Sequence, residues 1–437
     1  MSDYMFMLEN HLSSDQNQAV SAVQEAAAQQ NLNVFLAGGA MRDMLGGFQV
    51  RDLDFSVEGP ALKFAKAVAE RAGAQILSVD ENRKAAEMIF RGGVTGQIAM
   101  SRAEKYARTA AKPQVTPATI QEDLRGRDFS VNAIALSLNK ASRGLLLDPT
   151  NGLADLEHKE LRTLNTYTFY DDPVRLLRLV RFRVRLGFTV EERTRMQFEN
   201  ARSAELETYI PPRALGEELK HIADEPSAPE VLEALQQENL LKVFSPALAS
   251  GKLNPAALHK LEKSFRLAAE GNGIHPERLG PFLFVLTEKL NPKERSTLIK
   301  ATDLRKPEVD LWVKLEARAK KLENALKTAR LKKPSQVYQI LSKAAGDEVV
   351  FLLYHSQNKI VQERIRNYIQ KYMPLAQEFP VSELETIAAK PGTPKFEKAR
   401  EALLAAHLDR RPRKPAPLPP PLPPVEPVVV RGRARQL

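Results

Sequence analysis

The sequence predicts an α+β protein built in two parts, a mixed α/β unit of roughly 130 residues followed by a chain that is almost entirely helical. Three observations carry this. Between Asn33 and Leu147, apolar runs of strand length alternate with glycine turns and a few helical stretches. After Leu161 strand patterns largely vanish. From Pro173 onward, apolar residues recur at helical spacing in one segment after another.

Taken in order, residues 12–30 are alanine- and glutamine-rich and read as a helix. Asn33 to Ala37 is a short strand feeding the Gly38-Gly39 turn, and Met41 to Leu45 opens a helix. Val50 to Val57 alternates as a strand does, and Ala61 to Ala72 has a helical pattern. Strands follow near Ala74–Val79, Ala86–Phe90 and Gly96–Met100. Pro113 and Pro117 mark Arg102 to Thr119 as less regular, before strands at Val131–Leu138 and Leu145–Leu147. The helical part comprises Pro173–Leu186, Glu191–Ala204, Arg213–Asp224, Pro229–Gln237, Pro255–Glu270, Lys306–Lys327 and Gln362–Tyr372. From Pro412 the chain reads PAPLPPPLPPVEP between two arginine-rich clusters, a composition that favours extended polyproline II over a packed core.

Composition narrows the function. With 437 residues, 43% hydrophobic and 27% charged, the chain is of ordinary globular type and long enough for several domains. It has no cysteine, which excludes disulfides and thiolate metal sites, and its histidines show no H-x-x-x-H pairing for zinc. The N-terminus lacks an export signal and no apolar run spans a membrane, so a soluble, cytoplasmic protein is expected. Net charge is +10, of which +6 falls within residues 410–437. The pI therefore says little about the folded part, and any polyanion site must show itself locally.

The chemistry is concentrated in FLAGGAMRDMLGGFQVRDLDFSV, residues 35–57. Asp52 and Asp54 stand at strand spacing, so both carboxylates face one way, and like charges so placed favour a cation between them. Three further stretches accompany it: RGRDFSVNAIA at 125–135, DPTNGLADL at 148–156 and YDDPVRLLRLVRF at 170–182. In the last, Asp172 is a plausible N-cap with Pro173 in the first turn, and Asp172 and Arg175 share a face. Arg175, Arg178, Arg181 and Arg185 fall in one stripe, suited to phosphate contact or, for Arg181 and Arg185 equally, to a solvated face.

In order and spacing these stretches resemble the class II tRNA nucleotidyltransferase (CCA-adding enzyme) and bacterial poly(A) polymerase family over about residues 31–250. The resemblance implies a DNA polymerase beta-like nucleotidyltransferase head, a mixed sheet with helices, followed by an all-α neck, body and tail. On this chain that divides as a helical segment 1–30, a catalytic head 31–155, a neck 156–250, a body and tail 251–409 with RNA contact, and a disordered basic tail 410–437. It implies Asp52 and Asp54 as catalytic ligands of Mg2+, which bridges the incoming triphosphate and activates an RNA 3′-hydroxyl. Nucleotide contacts fall to Gly38, Gly39, Arg42, Arg127, Asp128, Asn132, Asp172, Arg175 and Arg178, and a hinge to Asp148, Gly152 and Asp155.

Asp172 and Arg175 would serve as a protein template. Cytosine and adenine each pair an exocyclic amino donor with a ring-nitrogen acceptor, which a carboxylate and a guanidinium complement, whereas uracil and guanine do not. The implied activity is addition of C and/or A from CTP and ATP to the 3′ end of tRNA. The rivals are a poly(A) polymerase, an enzyme limited to the CC or A step, and a weakened RNA-binding protein. The sequence departs from the family at Gly126 for Arg, Ser130 for Thr and Asp171 for Glu. At Gln97 a third carboxylate is usual, and Glu104 is the nearest acid that would compensate.

Overall fold

The computed structural model describes residues 3–270, 274, 276–380 and 390–410. Of the expected tail 410–437, all but residue 410 lies outside the described residues. Two helices, α1 (Asp3–His11) and α2 (Ser14–Gln30), precede the sheet. Ser13 and Gln16 cap α2 reciprocally, and left-handed Asn31 ends it. The Gln16 side chain also donates to the Val50 carbonyl at 2.9 Å, pinning the loop that leads to Asp52.

Next come β1 (Asn33–Ala37), α3 (Gly39–Leu45), β2 (Leu53–Glu58), α4 (Ala61–Ala72), β3 (Gln75–Asp80), β4 (Ala85–Ile89) and β5 (Thr95–Met100). A hairpin of β6 (Arg102–Lys105) and β7 (Gln114–Pro117) leads to α5 (Ile120–Arg125), β8 (Ala135–Ser137) and β9 (Leu146–Leu147). The main sheet has the order β3-β4-β5-β2-β1-β8-β9. Within this sheet, among the described residues, only β2 and β5 pair in parallel, with Asp54 opposite Gln97. Leu53, Phe55 and Val57 enter the core, where α4 adds Phe64, Ala65 and Val68. Alternation sends Asp54 and Ser56 to the other face, where Ser56 meets Ser101 at 2.9 Å.

The helical part begins with α6 (Gly152–His158), β10 (Glu160–Leu161), α7 (Thr168–Asp171), α8 (Arg175–Leu186), β11 (Thr189–Val190), α9 (Glu192–Ser203), α10 (Pro212–Ala223) and α11 (Ala228–Gln237). One hydrophobic core runs continuously from the sheet through α8, α10 and α11 to Trp312. A second, from Leu315 to Met373, is built by the later helices.

Three expectations are corrected. Arg102–Thr119 is irregular at 106–113, but Arg102–Lys105 and Gln114–Pro117 pair as a separate two-stranded hairpin that alternation alone did not reveal. Lys306–Lys327 is two helices, Lys306–Val313 and Leu315–Lys327, broken at Lys314 where the chain passes from the first core at Trp312 to the second at Leu315. The expected strand Val131–Leu138 begins as a 3-10 turn, Ser130–Asn132, and becomes strand only at Ala135.

Candidate active site

The turn after β1 is built by Gly38, whose φ of +69° favours glycine. A Cβ there would lie 2.7 Å from Arg127 Nη1 and 3.7 Å from Asp54 Oδ2. The turn therefore presses backbone against both groups. The Gly38 N–H donates to the Ile134 carbonyl at 3.1 Å and is thereby committed, and Gly39 opens α3.

Asp52 is exposed just before β2, with the Thr95 hydroxyl donating to it, and Asp54 is half-buried on the strand. Burial and the Asp52 charge push the Asp54 carboxyl up to about 6, against the pull of Arg127 and Arg42. Neighbouring arginines thus leave this pair under-compensated, and its hard oxygen donors fit a divalent cation such as Mg2+. Among the described residues no group of three or more Asp, Glu, His or Cys side chains gathers to hold a metal, so the site offers two carboxylates. Glu104 does not supply a third. It accepts from Arg83 at 3.0 Å, Arg102 at 2.8 Å and the Tyr106 hydroxyl at 2.6 Å. Although burial raises its carboxyl, these partners hold it at about 2.

Arg127, whose charge acts on Asp54, leads to the other predicted residues. Arg127 donates to Asp123 at 2.9 Å and to the Asn132 carbonyl at 3.2 Å. The Asn132 amide donates to Asp128 Oδ1 at 2.9 Å. Burial opposes ionisation of Asp128, but Arg178 and Arg175 outweigh it and hold the carboxyl far below its usual range.

Asp172 and Arg175 stand at the junction of α7 and α8, the helix that also bears Arg178. Asp172 does not cap α8 as expected; it is extended at the end of α7, and a Pro173-Val174 turn intervenes. Its carboxylate lies 3.9 Å from Arg175 Nε, too far for a hydrogen bond. Arg175 is only 7% exposed, and its Nε is buried without a hydrogen-bond partner. A buried guanidinium nitrogen left unpaired beside a carboxylate is costly unless something else engages it. That is the recognition feature the sequence suggests, left uncommitted.

Arg181 and Arg185 face carboxylates, where the sequence offered phosphate or solvent. Arg42 and Arg178, expected on the nucleotide, and Arg181 and Arg185 all belong to a closed circuit of charge. Arg42 donates to Asn132 Oδ1 at 2.7 Å and to Asp43 at 2.8 Å; Asp43 accepts from Arg185 at 2.6 Å. Arg185 lies 3.6 Å from Glu225, which accepts from Arg181 at 3.1 Å. Arg181 donates to Glu218 at 2.7 Å; Glu218 lies 3.8 Å from Arg178, which donates to Asp128 at 2.7 Å. The Asn132–Asp128 bond completes the ring. Phe182 is held by it, its ring 4.9 Å from the Arg42 and 4.8 Å from the Arg181 guanidinium.

Asp43, Glu218 and Glu225 were missed in the sequence.

At the expected hinge, Asp148 accepts from the Gly152 and Leu153 amides at 2.7 and 2.9 Å, capping α6. A Cβ on Gly152 would meet the Ser130 carbonyl at 2.2 Å, so only glycine fits. Asp155 accepts from the Ser130 hydroxyl and from Arg162. These residues join the segment bearing Asp128 to the helix that follows.

Comparison with known proteins agrees with this geometry. Residues 34–162 match the family described as poly A polymerase head domain. The chain is 30% identical over 347 residues to the A-adding tRNA nucleotidyltransferase of Aquifex aeolicus, covering 78% of this chain and 40% of that protein. It is 40% identical over 194 residues to the A-adding tRNA nucleotidyltransferase of Halalkalibacterium halodurans, covering 44% and 45%. Each match thus spans less than half of the relative. Among solved structures, an apo form of CCA-adding enzyme superposes with a TM-score of 0.53 at 23% identity, over 95% of this chain and 96% of that one. That likeness establishes the fold, a mixed-sheet head with a helical remainder.

Proposed function

We propose that this chain, whose residues 34–162 match the poly A polymerase head domain, is a template-independent nucleotidyltransferase of the class II tRNA nucleotidyltransferase and bacterial poly(A) polymerase family, adding C and/or A to the 3′ end of tRNA. The observation that carries this is the Asp172–Arg175 pair, in which the Arg175 Nε is buried without a hydrogen-bond partner, at the start of the helix whose Arg178 holds Asp128. Two relatives named A-adding favour the ATP step as one that this chain performs.

The family works with divalent metal ions, and we propose Mg2+ here. Held by Asp52 and Asp54, it would supply Lewis-acid polarisation of the triphosphate and a more acidic 3′-hydroxyl. The RNA 3′-oxygen forms a bond to the α-phosphorus as the bond to the β-phosphate oxygen breaks, releasing pyrophosphate. The Gly38 turn holds the acids and Arg127 close to the nucleotide phosphates. Asp172 accepts from the exocyclic amino group of the base, and Arg175 donates to its ring nitrogen. Asp128 and Asn132, fixed by the arginine circuit, hold the nucleotide's sugar side.

The test is base selection. Arg175→Ala is expected to lower discrimination of CTP and ATP over UTP and GTP by roughly tenfold or more, with RNA affinity nearly unchanged. Competition binding and single-nucleotide incorporation measure it, and unaltered discrimination would refute the template role.

A further inference from the structure

One exposed feature is not used by the proposed chemistry. Tyr167, just before α7, is 67% exposed, the highest value among large apolar side chains of the described surface. Its backbone N–H donates to Asn165 Oδ1 at 2.9 Å, which fixes the turn that presents it. The Tyr170 ring stands edge-on to it, centroids 6.5 Å apart at 78°. Between them Thr168 and Phe169 are buried; Tyr167 stands outward, and Tyr170 is half-buried, packed against the main core. The Tyr170 carbonyl accepts from Ala110 at 3.2 Å, bringing the loop after β6 alongside.

Charge around the pair is basic. Arg193 of α9 reaches Thr166 at 3.2 Å, and Arg108 lies on the adjoining loop. Both are exposed, and neither has a carboxylate partner among the described residues. Asp171 is the acid on the same short helix. Two aromatic faces with unpaired guanidinium groups suit a nucleobase and its phosphate better than an apolar protein surface. The position is decisive: Tyr170 lies two residues before Asp172, where the incoming base is read, so a base stacked here belongs to the neighbouring nucleotide.

We propose that Tyr167 and Tyr170 form a stacking platform for the unpaired 3′-terminal bases of the RNA, with Arg193 and Arg108 against its phosphates. This rests on the RNA-transfer reading above.

The experiment measures, without nucleotide, the affinity of the full chain for an RNA hairpin with a short single-stranded 3′ extension. A second hairpin is abasic at its last two positions. Tyr167→Ala is expected to weaken binding of the base-bearing hairpin roughly tenfold, to leave the abasic one unchanged, and to be rescued by Tyr167→Phe. In turnover the RNA KM should rise while kcat and the ATP KM hold. Wild-type affinity in Tyr167→Ala, an equal loss on the abasic hairpin, or a changed oligomeric state without an RNA effect would each overturn the platform. Binding needs no transfer, so an inactive wild type showing this coupling would overturn the activity alone. An active one lacking it would overturn the platform alone.

Discussion

Asp54→Ala and, separately, Asp52→Ala should reduce nucleotide transfer by about a thousandfold or more, while RNA still binds. The expectation follows from how the pair is built. Asp54 is held on β2 by parallel pairing with β5, on the face toward the Gly38 turn. Gln97 opposite carries no charge, and Glu104 is committed to Arg83, Arg102 and Tyr106. With two acids in place of three, removing either leaves one, too few to hold a divalent cation against water. A second readout is independent of turnover: millimolar Mg2+ should raise the melting temperature of the wild type and not of Asp54→Ala. Retained transfer in both variants would remove the acids from the metal site.

Glu218→Ala should cost about 3–5 kcal/mol of stability, the largest structural effect expected of any single side chain in the site. Glu218 is 1% exposed and bridges Arg181 and Arg178, so its loss removes one of the two carboxylates facing each guanidinium and leaves a charge gap in the buried circuit. The pH dependence has a definite sign. Burial alone would raise the carboxyls of Asp128, Glu218 and Glu225, but the surrounding arginines outweigh it and all three are depressed. Each therefore contributes stability above the ordinary carboxylate range that is lost as pH falls through the folded-state value. Urea unfolding at a series of pH values should show a steeper acid-side loss in wild type than in Glu218→Gln. Parallel curves would mean that the circuit contributes nothing through charge. Because the ring ends on Asp128 and Asn132, Glu218→Gln should also raise the nucleotide KM.

The head was legible because its signals are local. The glycine turn, the acids at strand spacing and the apolar runs of β1, β2 and β5 each follow from neighbours in the chain. The fate of the arginines was not legible. A stripe on α8 looks the same whether phosphate, water or carboxylates face it, and the deciding residues, Asp43, Glu218 and Glu225, come from α3 and from α10 and the residues after it. Arg175 shows the converse: its sequence signal was an ordinary i,i+3 ion pair, and only burial revealed that its Nε is unpaired. The break at Lys314 was hidden for a similar reason, since periodicity does not say which of two cores a helix face will meet.

The most direct test of nucleotide addition uses three labelled RNAs: tRNA lacking CCA, tRNA ending in CC, and an unstructured RNA. Each is incubated with the protein, Mg2+ and CTP, ATP or both, and product lengths are read on a gel. Addition of a defined one to three nucleotides confined to tRNA is the predicted result. Long A tails on every RNA, or no product in any lane, would contradict it.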